Sequence, residues 1–177
     1  MGFLTVSDFN SFDDLLAEQI RDLYDAEKRL VDALPKMAGA ATNERLRVAF
    51  LAHLDQTKEH VRRLEQVFSV LGVPAARQTC EAMKGLISEG ADVIEAKGNA
   101  AVKDAALIAA AQRVEHFEMA AYGSARTFAQ EMGFAEAARL LQATLDEEGE
   151  TDKKLTDLAV HGINLEAMRT SAALSGR

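Results

Sequence analysis

Glu27, His53, His60, Glu115, Glu118, Glu148 and Asp152 are the residues whose types and spacing could do chemistry in this chain. Each falls on a run of apolar residues at three- and four-residue steps, the positions a helix turns toward a core. An acid in such a place is costly unless it is paired, protonated or bound to a cation. A single seam glutamate is ordinarily salt-bridged or partly exposed. Five carboxylates and two imidazoles near the middle of four helices are a different matter. The obvious cations, Lys28, Arg29, Arg62, Arg63, Lys153 and Lys154, fall mainly on outward faces. Metal coordination accounts for the acids and the histidines together. Carboxylates with a few imidazoles and no thiolate suit iron or manganese better than structural zinc or copper(I). A pair of such ions with open positions can take dioxygen or peroxide.

The seams that carry these residues define the elements. Helix one is expected from Asn10-Ser11, with Asp13 and Asp14 at its positive end. Its stripe runs Leu16, Ile20, Leu23, Leu30 and Leu34, with Glu27 in the gap, and Pro35 is expected to kink or end it. Thr42-Asn43 caps a second helix, whose seam reads Leu46, Phe50, His53, Thr57, His60, Leu64, Val67 and Leu71, with Gln56 beside it. Gly72 and Pro74 stop that helix. A connection from Val73 to about Ala100 holds a shorter helix near Cys80–Glu95. A third long helix covers about Ala101 to Met132, with Ala111, Glu115, Glu118, Tyr122 and Ala125 on one seam. The fourth runs from about Ala135 to His161 through Leu141, Thr144, Leu145, Glu148, Asp152, Leu155 and Leu158. The tail Asn164–Arg177 reads equally as a short helix or a mobile end.

Glu27 and His60 are as far apart along the chain as Glu115 and Glu148. Each helical hairpin therefore sets its two polar groups at matching depths, as a pseudo-twofold pair of metal sites requires. Tyr24 and Tyr122 lie one turn from Glu27 and Glu118. Their phenols read either as partners or electron relays for the ligand carboxylates, or as ordinary amphipathic packing. Cys80 lies away from the seams and reads as a small buried apolar residue.

Composition bounds the rest. The 177 residues suit one domain over 1–177, with a bundle core of about 10–162 and a tail of 163–177. Nearly half of them are hydrophobic, two are proline and none is tryptophan. No sustained alternation and no Asn-Gly or Asp-Gly turn signals a strand. The chain is expected to be all-α: a four-helix bundle with one long crossover connection that carries an extra short helix. A net charge of −8 speaks against nucleic acid. One cysteine excludes an intrachain disulfide and fits a reducing compartment. The first ten residues lack the features of a signal peptide, and no apolar run is long enough to span a membrane. A soluble cytoplasmic protein is expected.

The segments LYDAEKRL (23–30), HLDQTKEHVRRLEQVFSVLG (53–72), CEAMKGLISEG (80–90), DAALIAAAQRVEHFEMAAYG (104–123) and LDEEGETDKKLTDLA (145–159) resemble the YciE/YciF family of bacterial stress-response proteins. The resemblance extends over roughly residues 8–162 and is most specific at AAAQRVEHFE and AAYG. It implies a ferritin-like fold, a dinuclear metal site, a homodimer and a ferroxidase-type role. Carried over residue by residue, it implies Glu27, the histidine face of helix two, Glu115 with Glu118, and Glu148 with Asp152. The chain departs from the wider ferritin and rubrerythrin pattern, in which two helices each carry Glu-x-x-His. Thr57 stands where the first glutamate belongs, and Thr151 where the second histidine belongs. His53 or Gln56 is then a substitute on helix two, and Asp152 on helix four.

These readings lead to a dinuclear iron or manganese oxidoreductase that oxidises ferrous iron with dioxygen or peroxide. The competing readings are a peroxide-removing enzyme of manganese-catalase or rubrerythrin type and a non-catalytic, metal-stabilised interaction protein.

Overall fold

Caps and glycines punctuate the chain where the sequence places them. The structure is a computed structural model, and it describes residues 10–175. The stretch 1–9, most of the segment read for a signal peptide, lies outside the described residues, as do the last two residues of the tail. Helix α1 spans Phe12–Ala40, and its cap Ser11 accepts a hydrogen bond from the Asp14 amide at 3.1 Å. Helix α2 spans Glu44–Leu71, with Asn43 as its cap (3.2 Å from the Leu46 amide) and Gly72 at φ +68° closing it. Helix α3 spans Glu81–Glu95, α4 Ala100–Glu131 and α5 Ala135–Leu158. A π-helical turn, Ala159–Ile163, leads into α6, Asn164–Ser175.

Pro35 does not end α1, which continues to Ala40. Its ring is exposed, while Leu34, Met37 and Ala38 around it are buried and hold the final turn against the loss of one backbone bond. The fourth long helix, α5, ends at Leu158, short of the expected His161. The π turn inserts there, and the tail continues as helix with Ile163 and Ala167 buried.

The four long helices form a ring in which α1 packs on α2, α2 on α5, α5 on α4 and α4 on α1. The turn between α1 and α2 lies beside the start of α4, because Asp104 accepts bonds from the Thr42 amide, the Thr42 hydroxyl and the Asn43 amide at 2.6–2.8 Å. That contact orients α4 like α2, so every pair of neighbours around the ring is antiparallel. Since α2 ends at the far end of the bundle, the chain must travel back along its length before α4 begins. The fifteen residues of α3, about 22 Å of helix, make that climb against α1 and α4. Asp25 fastens the start of α3 by accepting bonds from the Cys80 amide at 2.9 Å and Arg77 Nε at 2.9 Å.

The core is divided. One apolar cluster contains Leu30, Leu34, Leu46, Phe50, Ile108 and Leu155, and a second contains Leu16, Ile20, Leu64, Phe68, Ala125 and Leu141. Between them all four long helices turn polar residues inward. This fold is the ferritin-like four-helix bundle with a helical crossover, as expected.

Candidate metal centre

The polar layer is built one turn at a time. Glu27 follows Leu23 on α1, and His53, Thr57 and His60 succeed Phe50 on α2. Glu115 and Glu118 precede Tyr122 on α4, and Glu148 and Thr151 lie between Thr144 and Leu155 on α5. All of these side chains are buried, and Glu27, His60, Glu118 and Glu148 have no measurable exposure.

Two groups of ligand-type atoms form, each within 4.8 Å among its own members. One comprises Glu27, His60 and Glu148; the other comprises His53, Glu115, Glu118 and Glu148. Glu148 belongs to both. His60 Nδ1 lies 3.0 Å from Glu148 Oε1 and 3.4 Å from Glu27 Oε1. His53 Nε2 lies 3.4 Å from Glu115 Oε1 and 3.8 Å from Glu148 Oε2. Yet neither nitrogen makes a hydrogen bond. Apart from Arg126 Nε, every buried side-chain polar atom left without a partner among the described residues belongs to this layer: Glu27 Oε2, His53 Nε2, His60 Nδ1, Glu115 Oε2 and both carboxylate oxygens of Glu118 and Glu148. Native proteins rarely leave such groups unsatisfied. Their convergence is what a cation would require.

Electrostatics agree with that geometry. Burial, reinforced by neighbouring carboxylates, pushes Glu115 and Glu118 well above the ordinary range, so without a cation both hold their protons. Burial also raises Glu27, against the pull of His60. It lowers His53. For His60 burial opposes charging, but Glu148 and Glu27 outweigh it and lift the imidazole to about 11. Burial works to raise Glu148 too, but His60 beside it holds the carboxyl below its usual value. The layer thus keeps itself near neutrality with protons where ions would do the same.

The structure brings together Glu27, His53, His60, Glu115, Glu118 and Glu148. Asp152 does not join them. It is half-buried, its Oδ1 accepting from Gln112 Nε2 at 3.0 Å and lying 3.3 Å from His116 Nε2. One residue earlier on the same turn, Thr151 takes the inward position, 3.3 Å from His53 Nδ1. The two tyrosines also part. Tyr122 is fully buried and donates to Glu27 Oε1 at 2.5 Å, whereas Tyr24 faces outward and donates to Glu65 at 2.7 Å. Burial and Glu65 push the Tyr24 phenol up to about 12. Thr57 returns its hydroxyl to the His53 carbonyl at 2.9 Å, so it offers no carboxylate and no second donor. Gln56 is half-buried beside His53.

Glu147 and Arg63 escape a reading by seams. Glu147 Oε2 lies 2.8 Å from His60 Nε2, so it fixes the ring and aims Nδ1 into the layer. Arg63, counted with the outward cations, is largely buried and grips Glu147 with both terminal nitrogens at 2.7 and 2.8 Å. The available signal was the spacing of His60 and Arg63, three residues apart and hence on one face.

A four-helix bundle with a shared glutamate between two carboxylate–imidazole groups defines the ferritin-like class of protein. More particularly, residues 11–168 match the family described as a domain of unknown function, DUF892, and the chain belongs to that family. It is 47% identical over 158 residues to Protein YciF of Escherichia coli strain K12, covering 89% of this chain and 95% of that protein. The crystal structure of the E. coli stress protein YciF aligns at a TM-score of 0.85 with 46% identity, over 88% of this chain and 99% of that one. YcfI from Rhodopseudomonas palustris aligns at 0.84 with 38% identity, over 86% and 98%. The YciE/YciF resemblance read from the sequence is thereby established.

Proposed function

We propose that the chain binds two metal ions, iron or manganese, in the polar layer, and that it oxidises ferrous iron with dioxygen or peroxide as part of a stress response in the cytoplasm. The observation that carries this reading is Glu148: both of its oxygens are buried and unpartnered, and it belongs to both ligand groups. The donor set is oxygen-rich with two imidazoles, and Cys80 is distant in function, capping α3 with its sulfur. That chemistry favours iron or manganese over thiolate-seeking ions. Glu27, His60 and Glu148 would hold one ion, and His53, Glu115, Glu118 and Glu148 the other. When bound, such a pair supplies redox equivalents and a Lewis-acidic face toward small oxidants.

The protein's own part is to prepare and enclose. Glu147, held by Arg63, orients His60. Tyr122 orients Glu27 and is the phenol placed to pass an electron or proton at that carboxylate. Glu115 and Glu118 release the protons they hold as cations arrive, so uptake is linked to pH. The apolar clusters on either side keep bulk water from the layer. The homodimer implied by the resemblance belongs to the same reading.

Anaerobic addition of Fe(II) followed by oxygen tests the activity. Ferric absorbance should rise faster than in buffer, with two Fe(II) consumed per chain. Oxidation at the buffer rate would exclude the ferroxidase reading. Oxygen release from added peroxide by manganese-loaded protein would replace it with catalase-type chemistry.

A further inference from the structure

Two spaces on the α2–α5 side of the bundle share a wall. The outer one is a groove of about 470 Å³ on the surface, running between Val48 and Arg45 of α2 and Asp157 and Leu158 of α5. The inner one is a cavity of about 50 Å³ that reaches His53, Gln56, Glu115 and Thr151. Ala49, Ala52 and Lys154 line both. The two spaces therefore adjoin at two methyl groups and one flexible side chain. The cleft of about 340 Å³ between α1, α3 and α4 touches no residue of the layer. Nor does the space beside Asp104.

We infer that the groove and cavity form the way into the centre for small oxidants, and that Ala49, Ala52 and Lys154 set its size and charge selectivity. This rests on the metal-binding reading given above. The inner cavity, at about 50 Å³, has room for a few water-sized molecules. Dioxygen, peroxide and ions of similar size fit; an organic substrate does not. The cavity ends on His53 and Glu115, whose Nε2 and Oε2 are buried and without partners, so an arriving molecule meets the layer at the second ligand group. Lys154 is exposed and forms no ion pair among the described residues, leaving its charge free to act on what passes. It favours neutral and anionic molecules over cations. At Ala49 and Ala52 any longer side chain would narrow the neck.

The test uses the full-length chain, freed of metal and loaded with Co(II), whose visible absorption reports its coordination. Azide serves as the small probe and benzoate as the large one, with rates measured by stopped flow. Ala49→Leu should slow azide association and dissociation together, by tenfold or more, and leave the equilibrium affinity unchanged, because a narrowed path alters the barrier and not the end states. Ala52→Phe, at an exposed position with little bearing on folding, should do the same. Lys154→Ala should lower the association rate about two- to threefold and flatten its dependence on salt. Benzoate should leave the spectrum of the unaltered protein unchanged. Azide rates within twofold of the unaltered protein in both the Leu and Phe variants, or ready binding of benzoate, would overturn the route. Failure of the unaltered protein to take up Co(II) is a separate result: it overturns the metal-binding reading and the route with it.

Discussion

Asp25 and Glu27 stand two residues apart on α1, both buried, in opposite electrostatic circumstances. Asp25 accepts from Arg29 Nε at 2.6 Å, Arg77 Nε at 2.9 Å and the Cys80 amide at 2.9 Å. Burial alone would raise its carboxyl, but those partners hold it below the usual value. Asp104 is a second buried acid with partners at both oxygens, supplied by Thr42 and Asn43. Glu27 has one oxygen on Tyr122 and the other on nothing, and its carboxyl is raised. Glu118 has no partner at either oxygen. Burial of an acid is therefore a poor sign of a functional site. The informative sign is burial without partners, which distinguishes acids that hold the fold together from acids that await a cation.

The sharpest way to break this distinction is at Glu148. Glu148→Gln should weaken binding of both ions by at least about a hundredfold, more than loss of an orienting residue such as Glu147 would cause. Asp25→Asn should leave affinity within a few-fold. Calorimetric titration with Mn(II) measures both, and equal losses in the two variants would erase the difference between the two kinds of acid.

The reverse holds for stability. Asp104→Ala strands two backbone amides and a hydroxyl at the α1–α2 turn, and should cost about 3 kcal/mol in urea unfolding, with or without metal. If the cost disappears in metal-loaded protein, Asp104 is coupled to the centre and the comparison fails.

The pH dependence of the metal-free protein has a definite sign. Glu115 and Glu118 titrate near 4.3 in the unfolded chain and well above that when folded. Between those values the folded state carries more protons, so stability falls as pH rises from about 5 to 8. His60, lifted to about 11, acts in the same direction above its unfolded value near 6.5. His53, which is lowered, opposes it below that value, and Asp25 and Glu147, also lowered, only at acid pH. Glu118→Gln should flatten the fall and stabilise the metal-free protein at the alkaline end of this range. Thermal melts across pH test this, and a midpoint that rises from pH 5 to 8 would contradict it.

The smallest effect separates the two tyrosines. Tyr24→Phe should change stability by less than about 0.5 kcal/mol and leave metal affinity unaltered, since Tyr24 bonds the exposed Glu65. Tyr122→Phe should cost about 1 kcal/mol and perturb the ion beside Glu27. Equal behaviour in the two variants would remove Tyr122 from the centre.

Much of this was legible in the sequence because helical periodicity dictates which side chains share a face. The caps at Ser11 and Asn43, the stop at Gly72, the length of the crossover and six residues of the layer all follow from local spacing. Periodicity fails where neighbours on one turn compete for the interior. It assigned Asp152 to the seam, although Thr151 occupies that place and Asp152 turns toward Gln112. It put Tyr24 with Glu27, although the phenol faces Glu65. It missed Asp25, whose partners Arg77 and Cys80 come from the distant connection, and Glu147, whose role depends on Arg63 across the helix pair. Of the two outcomes expected at Pro35, the helix end does not occur, because packing of Met37 and Ala38 outweighs one missing backbone bond.

Metal content decides the central claim. Freshly purified protein should contain two equivalents of iron or manganese per chain. Crystals of that protein should give two anomalous peaks at the corresponding absorption edge, one bounded by Glu27, His60 and Glu148 and the other by His53, Glu115, Glu118 and Glu148. A chain that purifies without metal, takes up none when iron or manganese is supplied, and shows no anomalous density in the layer would contradict it.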